Sequence, residues 1–315
     1  MLKYKDSDVC LDNLLRKNGI KLIAIDIDGT LADDNGKISD DNLNAIQIAK
    51  KLGLKVILAT GRLQMYALKM FSEKQKEEYK VHTFDGIFSH GAYLNMKGYN
   101  YLLRKFSVMD LELVLFALST YKLLKNAIFL TVDSAYVFND DINAYHYTYT
   151  HEYEGVKSSI KYINIIDKSY KAIQLNTIKE IFTIGDIVSV EIYGKLYPEQ
   201  ELYKDLFTVL FHELENHFKI YIPACKDKLV ISPLNTAKVH GIYLMSQFYD
   251  IHMNEILSIG NDFNDVELLA TSGYSVALKN STAAASKVAR CISTRTNNEN
   301  AVANIIYRTI TERRA

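Results

Sequence analysis

Short apolar runs that each stop on a polar residue mark both ends of the chain. Leu22-Ile23-Ala24-Ile25 stops at Asp26, and Val56-Ile57-Leu58-Ala59 stops at Thr60. Unbroken runs of this length suit parallel strands covered on both faces, because a strand with one wet face would alternate. Between the two, Ser39 offers an N-cap, Leu43, Ile46, Ala49 and Leu52 recur at helical spacing, and Gly53 stands where a helix C-cap would. Near the other end Ile256-Leu257-Ser258-Ile259 leads into Gly260-Asn261-Asp262, a helical pattern follows around Val266 to Ala270, and Tyr274 to Leu278 gives another strand. The alternation predicts an α/β fold with a doubly wound, mostly parallel sheet. Such sheets bind ligands beyond the carboxyl ends of their strands, so Asp26, Thr60 and Asn261 are expected to converge.

The middle of the chain has a different pattern. Ala127 to Phe138, Ile181 to Tyr193 and His217 to Ile222 are rich in β-branched and aromatic residues and read as strands, with helical stretches at Leu111 to Leu124 and Glu199 to Leu214. This predicts an inserted α+β domain at 94–231, splitting a core made of 21–93 and 232–315, with 1–20 as an N-terminal extension. Two lobes agree with a length of 315 residues, which exceeds a comfortable single core.

Charge and composition narrow the function. Lys plus Arg and Asp plus Glu balance at 37 each, which removes the electrostatic footprint of a dedicated nucleic-acid binder but leaves room for a local cationic site. The charged run from Ser72 to Lys80 reads as a solvated helix face. No apolar run approaches the ~20 residues that span a bilayer, and residues 1–20 lack the apolar stretch of a secretory signal. Cys10, Cys225 and Cys291 lie far apart without a C-x-x-C pair, so neither disulfides nor a zinc site is expected, and a reducing cytoplasmic setting fits best.

The polar residues at the strand ends carry the candidate chemistry. In Asp26-Ile27-Asp28-Gly29-Thr30 a carboxylate held at the rim of a sheet can serve as nucleophile and metal ligand, and a second lies two residues on. Gly29 lets the chain turn so that backbone N–H groups face an anion. Asp-x-Asp-Gly alone is also an ordinary turn sequence. Its company changes that reading: Thr60-Gly61-Arg62 supplies a hydroxyl, a flexible turn and a guanidinium, Lys238 supplies an amine, and Gly260-Asn261-Asp262-Phe263-Asn264-Asp265 supplies an oxygen-rich loop. Neither G-x-x-x-x-G-K-[ST] nor G-x-G-x-x-G occurs, which disfavours a nucleotide-dependent kinase or dehydrogenase.

In this order the motifs resemble the haloacid dehalogenase superfamily, in its Cof-like branch with a large C2-type cap between the second and third motifs. The resemblance covers most of residues 21–307 and includes Asp85-Gly86-Ile87 and Asn280. It implies that Asp26 attacks phosphorus and becomes a phosphoaspartate, and that Asp28 first protonates the leaving oxygen and then activates water. It also implies phosphate binding by Thr60, Gly61, Lys238 and Asn264, and a Mg²⁺ site from Asp26, the backbone carbonyl of Asp28, Asn261 and Asp265. Thr30, Arg62, His90 and Asp262 are candidates for substrate contact or support. The implied substrate is a small phosphorylated metabolite, with sugar phosphates foremost, selected by a cap whose closure excludes water.

Three positions depart from the family pattern. Asn261 stands where Asp is usual, with Asp262 as a potential replacement ligand; His90-Gly91-Ala92 replaces Asn-Gly-Ala; and Val239 replaces the Gly that commonly follows the lysine. The first leaves a weakened, sensor-like homologue as an alternative to a phosphatase, and the shared aspartyl chemistry leaves a phosphomutase. A single histidine such as His90 is more often structural than a ligand; His146 and His151 lack metal-ligand company; Tyr193 reads as packing; and Arg62 reads equally as a phosphate or an interdomain partner.

Overall fold

The computed structural model describes residues 8–15, 19–138, 150–153, 156–159, 171–193, 208–222 and 228–314. The chain forms two compact units, one from Met1–Leu103 with Thr236–Ala315, the other from Arg104–Asn235.

The first unit is built on an eight-stranded sheet. Its strands are β1 (Leu22–Ile25), β2 (Lys55–Ala59), β3 (Gly86–Phe88), β4 (Tyr93–Met96) and β5 (Tyr99–Leu102) from the first segment. Within the second unit lie β6 (Ala127–Leu130), β7 (Ser134–Val137), β8 (Thr150–Tyr153), β9 (Val156–Ser159), β10 (Lys171–Gln174), β11 (Ser189–Tyr193), β12 (Phe218–Tyr221) and β13 (Lys228–Pro233). The chain then returns to the large sheet with β14 (Ile256–Gly260), β15 (Tyr274–Ala277) and β16 (Cys291–Ile292). The order across the large sheet is β16-β15-β14-β1-β2-β3-β4-β5, parallel except at β3–β4 and β4–β5.

β1 sits at the centre, with Leu22 opposite Ile256 on one side and Lys55 on the other, and all four of its side chains are fully buried. That burial is why its sequence is apolar without alternation. The helix Asp40–Lys51 returns the chain from β1 to β2. The Ser39 hydroxyl accepts from the Asn42 N–H, Asp40 and Asp41 occupy the first turn, and Leu43, Ala45, Ile46 and Ala49 are buried. Leu52, expected on that apolar face, lies beyond the last turn and is exposed.

The second unit is α+β. Its sheet runs β10-β7-β6-β11-β13-β12, antiparallel except at β10–β7, and β8–β9 form a separate hairpin. The helix Val108–Thr120 packs Val114, Leu115 and Leu118 into a core with Phe129, Ile192 and Ile231. Of the stretch Ile181 to Tyr193 only β11 is a strand; Ile181 ends the short helix Ile178–Ile181. The expected helix from Glu199 is described only over 208–214, and Cys225 and His146 lie outside the described residues.

The expected insert at 94–231 differs from this unit mainly at its start. β4 and β5 extend the large sheet, and Leu94 and Met96 pack with Ile87, Ile242 and Met245 in its core, so the second unit opens at Arg104. Residues 8–15 also depart from a bare extension. The helix Asp8–Leu15 buries Leu11, Leu14 and Leu15, and Arg308 pairs with Asp12 at 2.6 Å and Asp8 at 3.2 Å. Cys10 is joined by a disulfide to Cys291 on the edge strand β16, so two cysteines expected to be separate thiols are paired. The expectation of a reducing compartment loses the support it drew from them. Among the described residues no helix is long and apolar enough to cross a membrane.

A cross-link closing a loop of this size should stabilise the fold. Cys10→Ser is expected to lower stability by ~2–4 kcal/mol, measured by urea denaturation of the oxidised proteins. Equal midpoints for variant and parent, with thiol labelling showing the parent disulfide intact, would show that Arg308 and the buried leucines dock this helix alone.

Candidate functional site

The chemistry-bearing residues sit where the central strands end. Asp26 follows β1, and its N–H donates to the Ile259 carbonyl at 3.0 Å; Thr60 follows β2, and its N–H donates to the Ile87 carbonyl at 2.9 Å; Asn261 follows β14. Since β14, β1 and β2 are neighbours, Asp26 occupies the middle position, as the strand pattern implied. Asp26, Thr30, Thr60, Lys238 and Asp265 are all buried.

Lys238 opens the helix Lys238–Phe248 and joins these loops. Its ammonium donates to Asp26 Oδ1 and to Asp265 Oδ1, each at 2.7 Å, and to Asn264 Oδ1 at 3.4 Å. The other Asp265 oxygen accepts the backbone N–H groups of Asn261 (2.9 Å) and Asp262 (3.1 Å). Both oxygens of Asp265 are thus engaged in fixing the loop and the lysine. The sequence placed Asp265 among the metal ligands; in the structure it also anchors Lys238. Burial first, then the neighbouring Asp265 carboxylate, push the Asp26 pKa up to about 8, against the pull of Lys238, and Asp28 adds to the rise. Burial opposes the Lys238 ammonium, but Asp26 and Asp265 more than offset it and raise its pKa above the ordinary lysine value. One ammonium therefore serves two buried carboxylates with a third nearby, and this crowding of carboxylates is part of why Asp26 holds its proton more tightly than a free carboxyl.

Asp28 and Arg62 form a forked pair. Arg62 Nε donates to both carboxylate oxygens (3.0 and 2.9 Å) and an Nη to Oδ1 at 2.6 Å. The pair is partly exposed, so its worth to stability is modest. Arg62, left open between phosphate and interdomain partners, takes the second motif carboxylate in this structure. Its N–H donates to the Thr60 hydroxyl at 3.1 Å, which ties the Thr60-Gly61-Arg62 turn together.

Asn261, the least typical residue of the loop, meets the first motif directly. Its Oδ1 accepts from the Thr30 hydroxyl at 3.0 Å, and its Nδ2 lies 2.4 Å from where a Cβ on Gly29 would stand. Gly29 also has φ +68°, so both backbone angle and space require glycine there. Asp262 faces otherwise: its Oδ1 accepts the Phe263 N–H at 2.7 Å and caps the following turn. Asn280 was noted as part of the resemblance without a role. Its amide donates to the Gly29 carbonyl at 2.8 Å, and its Oδ1 accepts the Asn297 N–H at 3.2 Å, so it buttresses the loop after β1. Asn297, which in turn donates to the Ala32 carbonyl, carries no signal in the sequence that could have revealed it.

Among the described residues no three His, Cys, Asp or Glu side chains are grouped as metal ligands. Position 261 supplies an amide, and Asp265 is committed to Lys238. The donors that face the first motif are oxygens of the hard type that Mg²⁺ takes, and a divalent cation beside Asp26 would relieve the carboxylate crowding that raises its pKa. The residues fit such an ion.

This fold and this arrangement define a class: the chain belongs to the haloacid dehalogenase-like hydrolases, whose family model matches residues 23–306. It is a phosphatase of that family, in keeping with the names of its relatives. It is 25% identical over 288 residues to the 5-amino-6-(5-phospho-D-ribitylamino)uracil phosphatase YitU of Bacillus subtilis, spanning 90% of this chain and 96% of that protein. In structure it is similar to a HAD/COF-like hydrolase of Plasmodium vivax (TM-score 0.77, 23% identity, 96% and 99% of the two chains). It is also similar to the HAD subclass IIB sugar phosphatase BT4131 (TM-score 0.65, 17% identity, 90% and 96% of the two chains).

The buried charge cluster gives Lys238 a structural role. Lys238→Met should destabilise the catalytic unit by ~3–5 kcal/mol, because two buried carboxylates lose their counter-charge. Chemical denaturation checks this, and pairing the change with Asp265→Asn should recover part of the loss.

Proposed function

We propose that this phosphatase hydrolyses small phosphorylated metabolites, sugar phosphates first among them, through an aspartyl-phosphate on Asp26 and with Mg²⁺ as cofactor. The observation that carries the reading is the buried Asp26 carboxylate at the end of β1, held 2.7 Å from the Lys238 ammonium beside the Asp28 carboxylate two residues on. The substrate class draws support from two names: YitU is called a 5-amino-6-(5-phospho-D-ribitylamino)uracil phosphatase, and BT4131 a sugar phosphatase.

In this reading an Asp26 oxygen attacks phosphorus, the bond from phosphorus to the leaving oxygen breaks, and Asp28 gives that oxygen a proton. Asp28 then takes a proton from the water that attacks the aspartyl-phosphate, which releases inorganic phosphate and restores Asp26. Thr60, the N–H groups of the Gly61 turn and Lys238 bear on the charge of the transferring oxygens. A bound Mg²⁺, held by Asp26, the Asp28 carbonyl and Asn261, would supply positive charge to the phosphoryl group. We assign the choice of leaving group to the unit Arg104–Asn235, in the role of a cap.

Asp26→Asn is expected to keep the fold and lose at least ~10³-fold in phosphate release, since an amide is a far poorer nucleophile. Retention of most turnover toward an aryl phosphate would rule out the mechanism. Asp28→Asn should slow esters with poor leaving groups more than activated aryl esters. Product analysis separates the alternatives: isomer formation indicates a mutase, and tight binding without turnover a sensor.

The cofactor assignment has its own test. Because Asn261 faces the first motif while Asp262 caps its own turn, Asn261→Asp should shift the half-saturating Mg²⁺ concentration down about tenfold, ~1.4 kcal/mol, with Asp262→Asn much milder. Calorimetric Mg²⁺ titration alongside activity checks both, and activity unchanged after complete metal removal would exclude the ion.

A further inference from the structure

The last strand of the large sheet is also its shortest. β16 has two residues and lies at the sheet edge, with Cys291 opposite Val276 and Ile292 opposite Ala277 of β15. So short an edge strand has few backbone bonds of its own, and segments of that kind open locally with little loss of free energy. The helix Asp8–Leu15 packs against it. The Cys10–Cys291 disulfide joins helix to strand, and the Thr294 hydroxyl donates to Asp8 Oδ1 at 3.1 Å.

From Cys291 the chain runs straight to the loop after β1. The Ser293 N–H donates to the Ala277 carbonyl at 2.8 Å, the Ser293 hydroxyl accepts the Arg295 N–H at 3.1 Å, and the Arg295 carbonyl accepts the Lys279 N–H at 3.1 Å. The Asn297 N–H then donates to Asn280 Oδ1 at 3.2 Å, and its amide donates to the Ala32 carbonyl at 3.0 Å and to Asp34 Oδ1 at 2.9 Å. The Asn298 amide donates to Asp34 Oδ2 at 2.7 Å, and its Oδ1 accepts the Asp34 N–H at 3.0 Å. The Asn297 and Asn298 amides hold the Asp34 carboxyl below the ordinary carboxylate range, so the clasp is made to its charged form, in which hydrogen bonds are stronger. Asn280 in turn holds the Gly29 carbonyl. Residues 291–298 are therefore a strap, with the disulfide at one end and the turn that follows Asp26 and Asp28 at the other.

We propose that the Cys10–Cys291 disulfide is a redox switch on the loop after β1: reduction by a dithiol slackens the strap and loosens the turn at Asp28-Gly29-Thr30. Cys291 is buried and Cys10 is partly exposed, so a thiolate of the reductant attacks the Cys10 sulfur. The S–S bond breaks, and Cys291 leaves with the electron pair and takes a proton. The second thiolate of the reductant attacks its own sulfur in the mixed disulfide, Cys10 leaves and is protonated, and the dithiol ends as a cyclic disulfide. Leu11, Leu14, Leu15 and the Arg308 ion pairs remain, so the reduced protein keeps its fold and the change is local. The effect on turnover rests on the phosphatase reading; the effect on the loop does not.

Hydrogen exchange of the wild-type protein, oxidised and after dithiothreitol, tests the strap, with thiol labelling to confirm each state. Reduction should speed exchange at least about tenfold in residues 27–36 and 291–298 while β1 stays unchanged. Cys10→Ser should behave as the reduced protein and ignore dithiothreitol. Asn297→Ala, which removes the clasp, should show a fast-exchanging loop in both states. Equal loop exchange in oxidised and reduced wild type would overturn the proposal. So would an acceleration spread evenly over the loop and β1, the mark of a cross-link that only adds global stability, and so would an air-oxidised protein in which Cys10 and Cys291 both label. Turnover of an aryl phosphate should fall at least about threefold on reduction of wild type but not on the same treatment of Cys10→Ser. A loosened loop with unchanged turnover would also sink the switch. If a variant does not fold, the two states of wild type decide. If the enzyme releases phosphate from no ester, the function proposed above fails, and the exchange data alone judge the strap.

Discussion

The placement of one ammonium between two buried carboxylates governs the first unit. Lys238 reaches Asp26 at the end of β1 and Asp265 in the loop after β14, and none of the three has appreciable contact with solvent. Removing charged groups from water is costly, and only mutual neutralisation with further hydrogen bonds offsets it. Asp265 meets that condition fully, since its second oxygen takes two backbone N–H groups. Asp26 does not, and its raised pKa expresses the deficit. The fold therefore holds the Asp26 carboxyl in a state of incomplete compensation, and that state is what makes the position receptive to added positive charge.

The surrounding loops are fixed by groups that link one strand end to the next. Asn261 and Asn280 both fasten the Gly29 turn, one through the Thr30 hydroxyl and one through the Gly29 carbonyl. Arg62 ties the turn after β2 to Asp28. Side chains held in this way lose little freedom when a ligand arrives, and a preorganised set of donors is what charge development at a phosphoryl group calls for.

Much of this was legible in the chain because burial on both faces leaves a plain mark. β1, β2 and β14 read as unbroken apolar runs, and the residues after them lie at the same end of neighbouring strands. The limit at 94 was misread because β4 and β5 pair antiparallel at the sheet edge, with Tyr99 and Tyr101 exposed, and so look like the aromatic-rich strands of the insert. Asp265 could be seen as a carboxylate in an oxygen-rich loop, but its partner is set by the reach of Lys238, a tertiary fact with no local trace. The same holds for Cys10 and Cys291, which are 281 residues apart. His90 was visible only as a departure from a motif; its ring covers Gly61, and its Nδ1 lies 3.4 Å from the Asn264 amide nitrogen.

The catalytic unit is assembled from two stretches of chain with the whole second unit between them, and this bears on how the molecule folds. Asp26 and Lys238 are 212 residues apart, and β1 pairs on one side with β2 and on the other with β14. Contacts of such sequence separation form late, because the entropy of closing the loop must be met before any pairing rewards it. During synthesis β1 emerges with its β14 edge unpaired and Asp26 without its cation, an exposed and aggregation-prone arrangement. An inserted unit with its own hydrophobic core, able to collapse first, shortens the effective loop that the last strands must close.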